Sequence, residues 1–265
     1  LRGAPRRGRG VLRALSVLAT SLWIGLASFT VIAVYFAAAG GVWACLSQPF
    51  FITDYDSGVL KLIIGVMVEN QAIFDLLNVR AEGELLDGLG NVLCENSTGL
   101  YHVGIGGEVD FKLFLCLNVT ELATNPATSY MMTRRAKLTV NMTLRMIYAY
   151  IFPTKAIITI PADWGPPLLG LRASLMPGPT PDTTCALVAF KNAATFWFKG
   201  YVNAYLYGDG ELLAQGRAYT TVHKHESKNL SIVLPIDPDR LPERCKLVLA
   251  FDTNMFYFTW GVELG

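Results

Sequence analysis

Hydrophobic and polar positions fall into two regimes along this chain. From Ala14 to Ala39 apolar residues dominate, and no Asp, Glu, Lys or Arg occurs between Arg13 and Asp54. After residue 57 the pattern turns to shorter apolar stretches that alternate with polar residues or stop at turns. In the clearest of them, 137–146, Leu138, Val140, Met142, Leu144 and Met146 alternate with Thr139, Asn141, Thr143 and Arg145. A period of two predicts a strand with one buried and one solvated face. A second unit, 194–207, runs into Gly208-Asp209-Gly210 and then 211–221. Glycine supplies the positive φ of a tight turn, so this reads as a β-hairpin. Further strands are expected at 229–236 and 246–265, with Leu247, Leu249 and Phe251 sharing a face.

The uninterrupted run is long enough for a bilayer, which about 20 apolar residues cross at a rise of about 1.5 Å each. Arg2, Arg6, Arg7, Arg9 and Arg13 precede it, while Asp54 and Asp56 follow it. Positive charge stays on the cytosolic side. The expectation is therefore a cytosolic basic tip at 1–13, a transmembrane signal anchor at 14–40 and a juxtamembrane linker at 41–57. The remainder would be lumenal or extracellular, in the secretory or endolysosomal system or at the plasma membrane. Phe36-Ala37-Ala38-Ala39-Gly40 offers small residues of the cleavage type, but a signal-peptide core is only about 7–15 residues long. The length favours an uncleaved anchor over a cleaved signal or a buried core helix.

The outer part is rich in Val, Ile, Leu, Phe and Tyr, which suit a pleated, half-buried surface. Between its strand blocks, 161–184 carries six prolines and three glycines. Proline removes ladder donors and fixes φ, so this segment reads as a linker or extended crossover between 58–160 and 185–265. The two parts share an order of features. Each has an apolar strand ending at an asparagine, Asn70 or Asn192, then a bend, a long strand and a Gly-containing turn. Each continues to a further apolar strand, 111–117 or 230–235, and a Lys-Leu strand beginning at Lys137 or Lys246. The fold class expected is mainly β: one N-terminal transmembrane helix followed by two tandem immunoglobulin-like antiparallel β-sandwiches.

Val188-Ala-Phe-Lys-Asn192, Val202-Asn-Ala-Tyr-Leu-Tyr-Gly208, Leu212-Leu-Ala-Gln-Gly216 and Leu230-Ser-Ile-Val-Leu-Pro235 carry a family resemblance. Their order is similar to the late-embryogenesis-abundant group two family, also called the WHy domain. The arrangement as a whole resembles its type II membrane-anchored members. The resemblance covers 183–236 and, more loosely, 62–117. It departs from the family pattern at Asn192, which is followed by Ala193-Ala194 in place of Pro-Asn. It implies a seven- or eight-stranded β-sandwich, no enzymatic activity, and roles in lipid or membrane association and stress response.

Of five cysteines, Cys45 lies beside the expected anchor, and Cys94, Cys116, Cys185 and Cys245 follow it. An oxidising lumen permits two disulfides in three pairings. The internal repeat favours Cys94–Cys116 and Cys185–Cys245, one in each half. Four N-x-[ST] sequons, at Asn96, Asn118, Asn141 and Asn229, are candidate glycosylation sites on the same side as the cysteines.

Catalytic chemistry is not written in the chain. Its three histidines are His102, His223 and His225. His223-Lys224-His225 could place two imidazoles on one face, but beside Lys224 and Glu226 it reads as a solvated turn. Asp54 and Asp56 read as polar linker, and Gly104-Ile-Gly-Gly107 as a turn. No nucleophile elbow, phosphate loop, zinc-protease or dinucleotide motif occurs. The expectation is no enzyme, no catalytic residue, no cofactor and no metal. A net charge of +1 with no basic stripe beyond the tip argues against nucleic acid. The partners expected are the bilayer, a lipid ligand or a protein at the membrane, with homo-oligomers compatible. Aromatic stretches at 196–198, 201–207 and 255–260 would either line an apolar groove for lipid or fill the core. The function expected is that of a single-pass membrane glycoprotein with a non-catalytic ectodomain that associates with lipid. The alternative is a cellular or viral adhesion glycoprotein.

Overall fold

The computed structural model describes residues 7–36 and 40–264, with side chains from residue 18 onward except at 33 and 36. Helix α1 spans Arg7–Phe36. All else is strands, turns and short helical pieces.

Strand β3 (Val59–Asn70) organises the first sandwich. One of its sides pairs with β1 (Val42–Leu46) and β2 (Phe50–Asp54) in succession, the other with β7 (Glu108–Asn118), all antiparallel. The facing sheet runs in the order β5 (Val92–Ser97), β4 (Leu76–Leu86), β8 (Ala136–Tyr148) and β9 (Phe152–Trp164). The short β6 (Tyr101–Val103) also pairs with β4. Alternation decides what lies between the sheets. Leu60, Leu62, Ile64, Val66 and Val68 of β3 are wholly buried with Leu138, Val140, Met142 and Leu144 of β8. Gly83 of β4 permits close approach, since a Cβ there would lie 2.5 Å from Leu113 Cδ2 of β7. Helix α2 (Val119–Thr124) leads from β7 toward β8, capped by Asn118, whose side chain accepts from the amides of Thr120 and Glu121.

The second sandwich opposes β10 (Leu169–Pro177), β11 (Thr184–Lys191) and β14 (Ser227–Leu234) to a four-stranded sheet. That sheet has the order β13 (Glu211–Val222), β12 (Phe198–Gly208), β15 (Cys245–Thr253) and β16 (Tyr257–Leu264). The β12–β13 hairpin turns at Asp209 and Gly210, both at positive φ (50° and 87°), as a two-residue turn with matching twist requires. Phe196, Phe198, Phe251, Phe256 and Phe258 fill the core.

Both sandwiches are closed at one end by the same device. Asn70 terminates β3 and is fully buried. Its amide donates to the carbonyls of Phe74 (2.9 Å) and Val103 (3.0 Å), and its oxygen accepts from Ala72 N (3.1 Å). Asn192 follows β11 and is equally buried. It donates to Phe196 O (2.8 Å) and His223 O (3.0 Å) and accepts from Ala194 N (3.0 Å). Each asparagine thus satisfies the backbone of a bend that no strand can pair.

Several expectations need correction. Among the described residues no helix is long and apolar enough to cross a membrane, so the anchor expected at 14–40 is not found. Residues 1–6 of the expected tip and 37–39 of the expected anchor lie outside the described residues.

No disulfide forms either. Cys45, Cys94, Cys116, Cys185 and Cys245 are all free. In β11, Ala186, Val188 and Phe190 face the core, so Cys185 points to the other side of its sheet with Leu187. Cys245 shares parity with Leu247 and Leu249 and faces inward from the opposite sheet. At Cys94 burial, and then the neighbouring Cys116, push the thiol up to about 12.

The two segments read as linkers carry strands. β1 and β2 occupy most of 41–57. In 161–184, β9 runs to Trp164 and β10 takes Leu169–Pro177. Pro161 and Pro177 sit in β9 and β10, which are edge strands, where a missing N–H breaks no inner ladder. The halves meet at residues 165–168. There Ala193 N donates to Pro166 O (2.9 Å) and Leu168 N to Met132 O (2.9 Å).

Candidate functional site

The end of the first sandwich nearest α1 gathers four pieces of chain. They are the bend after β3, the β6–β7 turn, the β8–β9 turn and the helix itself. Asp75 ties the first three together. One carboxylate oxygen accepts from Ile105 N (3.1 Å), and the other accepts from the Tyr150 hydroxyl (3.0 Å) with His102 Nε2 at 3.5 Å. The Tyr150 hydrogen bond holds the Asp75 carboxyl below the usual value, and the same bond raises the Tyr150 phenol. The β8–β9 turn is pinned by positive φ at Ala149 (51°) and Tyr150 (66°).

This tie points apolar side chains at solvent. Ile105 is 64% exposed, Tyr150 62% and Ile151 54%, with Ile73 beside them at 40%. Helix α1 docks at the same end through Phe29, whose ring meets Phe74 at 5.1 Å and Phe152 at 6.1 Å. Much of the rest of the helix is uncovered, including Leu22, Trp23, Ile24, Val31 and Tyr35. Four exposed tip residues, with an open apolar helix docked at the same end, leave more apolar surface in water than soluble proteins usually do.

Behind the tips lies a basic row. Arg80 of β4 pairs with Arg145 of β8, and Arg145 with Lys155 of β9, so three cations sit side by side on the outer face. Glu82 of β4 bridges the two arginines, reaching Arg80 Nη2 at 2.7 Å and Arg145 Nε at 2.6 Å. A cleft of about 510 Å³ opens over the row, lined also by Asn78, Thr154, Leu100, Ile147 and Pro153. Arg145 stands three residues before the end of β8, so the row lies about 10 Å behind the tips at about 3.3 Å per residue.

The residues expected from sequence lie elsewhere. Asn96 is exposed on β5, and its amide already donates to Phe114 O (2.8 Å). Asn118 caps α2, Asn141 accepts from the Thr159 hydroxyl (3.2 Å), and Asn229 is exposed on β14. His223 and His225 occupy the β13–β14 turn, and no cluster that could hold a metal exists among the described residues. Asp54 pairs with Lys61 (3.2 Å). Of the aromatic stretches, Phe196, Phe198, Phe256 and Phe258 are buried in the second core, Trp197, Tyr205 and Tyr207 are half-buried, and Tyr201 and Tyr257 are exposed. Trp197 stacks on Tyr55 of the first sandwich at 4.5 Å. The tips and the basic row carry no motif. Only Arg145, placed by the alternation of its strand on the solvated face, was legible beforehand.

Fold and site together define a protein of antiparallel β-sandwiches with an apolar-tipped, basic-backed end. No protein-family model matches the chain, and no curated protein matches it in sequence. Among solved structures it is similar to a Northeast Structural Genomics Consortium target at 12% identity and a TM-score of 0.33, over 52% of this chain and 98% of that one. It is similar to red sea bream transglutaminase at 15% identity and a TM-score of 0.27, over 84% of this chain and 31% of the enzyme. A glycosyl hydrolase family 2 member from Bacteroides cellulosilyticus gives 14% identity and a TM-score of 0.29, over 85% of this chain and 28% of that one. At these scores none of the likenesses bears on what the chain does.

Proposed function

We propose that the protein is a lipid-surface-binding β-sandwich module, which meets anionic membrane through the α1-proximal end of its first sandwich. The observation that carries this is the pairing of exposed apolar tips with a basic row about 10 Å behind them. Apolar side chains that enter the acyl boundary gain about 25 cal/mol per Å² buried. At that depth the row meets the headgroups, where each Lys or Arg near an anionic surface contributes about 1 kcal/mol. The exposed apolar side of α1 adds to the same face.

Vesicle co-sedimentation of the full chain tests the reading. Ile105→Asp with Ile151→Asp is expected to weaken binding to anionic vesicles at least tenfold without changing the circular dichroism, because both side chains stand in solvent. Unchanged sedimentation of the double variant would overturn it.

A further inference from the structure

The basic row is built more specifically than general attraction to anions requires. Strand β4 carries a bulge: its register against β8 shifts between Leu77 and Arg80, and Asn78 inside it adopts φ 53°. Leu76 and Val79 both face the core. Without the extra residue Arg80 would share the parity of Leu76 and point inward. The bulge turns it outward, in register with Arg145 and Lys155, and bulges re-aim side chains in this way beside functional sites. Like charges directly opposite one another are unfavourable, yet three stand in line here. Glu82 occupies Arg145 Nε and so leaves both terminal nitrogens of that guanidinium for another acceptor. Lys155 is exposed, with no ion pair among the described residues.

We propose that this cleft binds a phosphate monoester, with Arg145 and Lys155 as donors and Glu82 as the positioning residue. Three cations against one carboxylate leave the row two positive charges in excess. A phosphate monoester carries about −1.5 to −2 near neutral pH, so it neutralises that excess, whereas a diester headgroup does not. Glu84 and Glu95 face each other one row beyond Glu82, which confines the cationic strip to the cleft. Leu100, Ile147 and Pro153 give the cleft an apolar wall that suits the carbon skeleton bearing the phosphate. The group can come from a lipid headgroup, in which case this inference rests on the reading above, or from a soluble molecule.

The test uses the full chain with phosphatidylcholine vesicles doped to equal surface charge with phosphatidic acid, a monoester, or phosphatidylserine, a diester. Glycerol phosphate serves as the soluble probe. The wild type is expected to favour phosphatidic acid at least fivefold. Lys155→Gln, which removes no structural contact, and Arg145→Gln are each expected to abolish the preference, while binding to phosphatidylserine falls only by the about fivefold that one surface charge contributes. Competition by millimolar glycerol phosphate would identify a soluble source, and preference without competition a headgroup. Equal binding to both doped vesicles, or a preference that survives Lys155→Gln, would overturn the proposal. If the wild type ignores every vesicle yet binds glycerol phosphate in a Lys155-dependent way, the lipid reading fails and the cleft assignment stands.

Discussion

Asn192 offers the sharpest test of how the sandwiches are held closed. Replacement by alanine orphans the carbonyl of Phe196 and the amide of Ala194, and leaves His223 O with only its bond from Glu226 N (3.2 Å). Each buried polar group left without a partner costs about 1–3 kcal/mol. The bonds to Phe196 O and Ala194 N are fully buried and that to His223 O is partly so. Two groups lose their only partner, so the expected loss is about 2–6 kcal/mol, a large part of the ~5–15 kcal/mol that holds a domain folded. Asn192→Asp keeps the shape but sets carboxylate oxygens against two carbonyls at 2.8 and 3.0 Å. Burial and those carbonyls disfavour the charged form, so the folded-state pKa of the new aspartate rises above the unfolded value of about 3.9. The protonated acid can donate one bond, and its advantage is lost as pH rises through that raised value. The aspartate variant should thus be the less stable of the two at pH 8 and recover toward acid, while the alanine variant shows no such slope. Urea unfolding followed by tryptophan fluorescence at several pH values measures both. An alanine loss below about 1 kcal/mol, or parallel pH profiles for the two variants, would refute the closure role, since a single orphaned group already costs that much.

Asp87 should give the fold an acid limb. Burial works to raise its pKa, but bonds from Asn91, Leu89 and the Tyr130 hydroxyl outweigh burial and hold the carboxyl below its ordinary value of 3.8. Its contribution is complete above that ordinary value and is lost as pH falls through the lower folded one. Asp87→Asn should flatten the urea midpoint against pH below about 4. Gly165→Ala should destabilise the junction of the halves by about 2–4 kcal/mol in the same assay, because a Cβ there would lie 1.9 Å from Ala193 O, a backbone atom that cannot swing aside.

What sequence and tertiary structure each decide can be followed residue by residue. The period-two alternation of 137–146 set which side of β8 is buried, because side-chain direction along a strand is a local property. The Gly208-Asp209-Gly210 hairpin followed from φ preferences equally local. Asn70 and Asn192 stood out in sequence as strand ends. Their buried bonds to distant carbonyls, such as Val103 and His223, needed the fold. The proline-rich stretch carries strand because proline forbids only inner-ladder positions, and whether a strand lies at an edge is decided by its neighbours. The cysteine pairing failed for a similar reason, as Cys185 points away from the core that Cys245 faces.

The long apolar run opened the chain with its plainest signal and gives α1 its open apolar surface. In the structure that helix docks on the first sandwich through Phe29, and among the described residues no helix is long and apolar enough to cross a membrane. The site proposed here was the least legible feature of all. Arg80, Arg145 and Lys155 are scattered over 76 residues of sequence. A single extra residue in β4 and the registers of three strands bring them into one row. Local pattern fixes which way a side chain points within its own strand. Only the pairing of strands far apart in sequence, each with its own register and bulge, decides which side chains become neighbours.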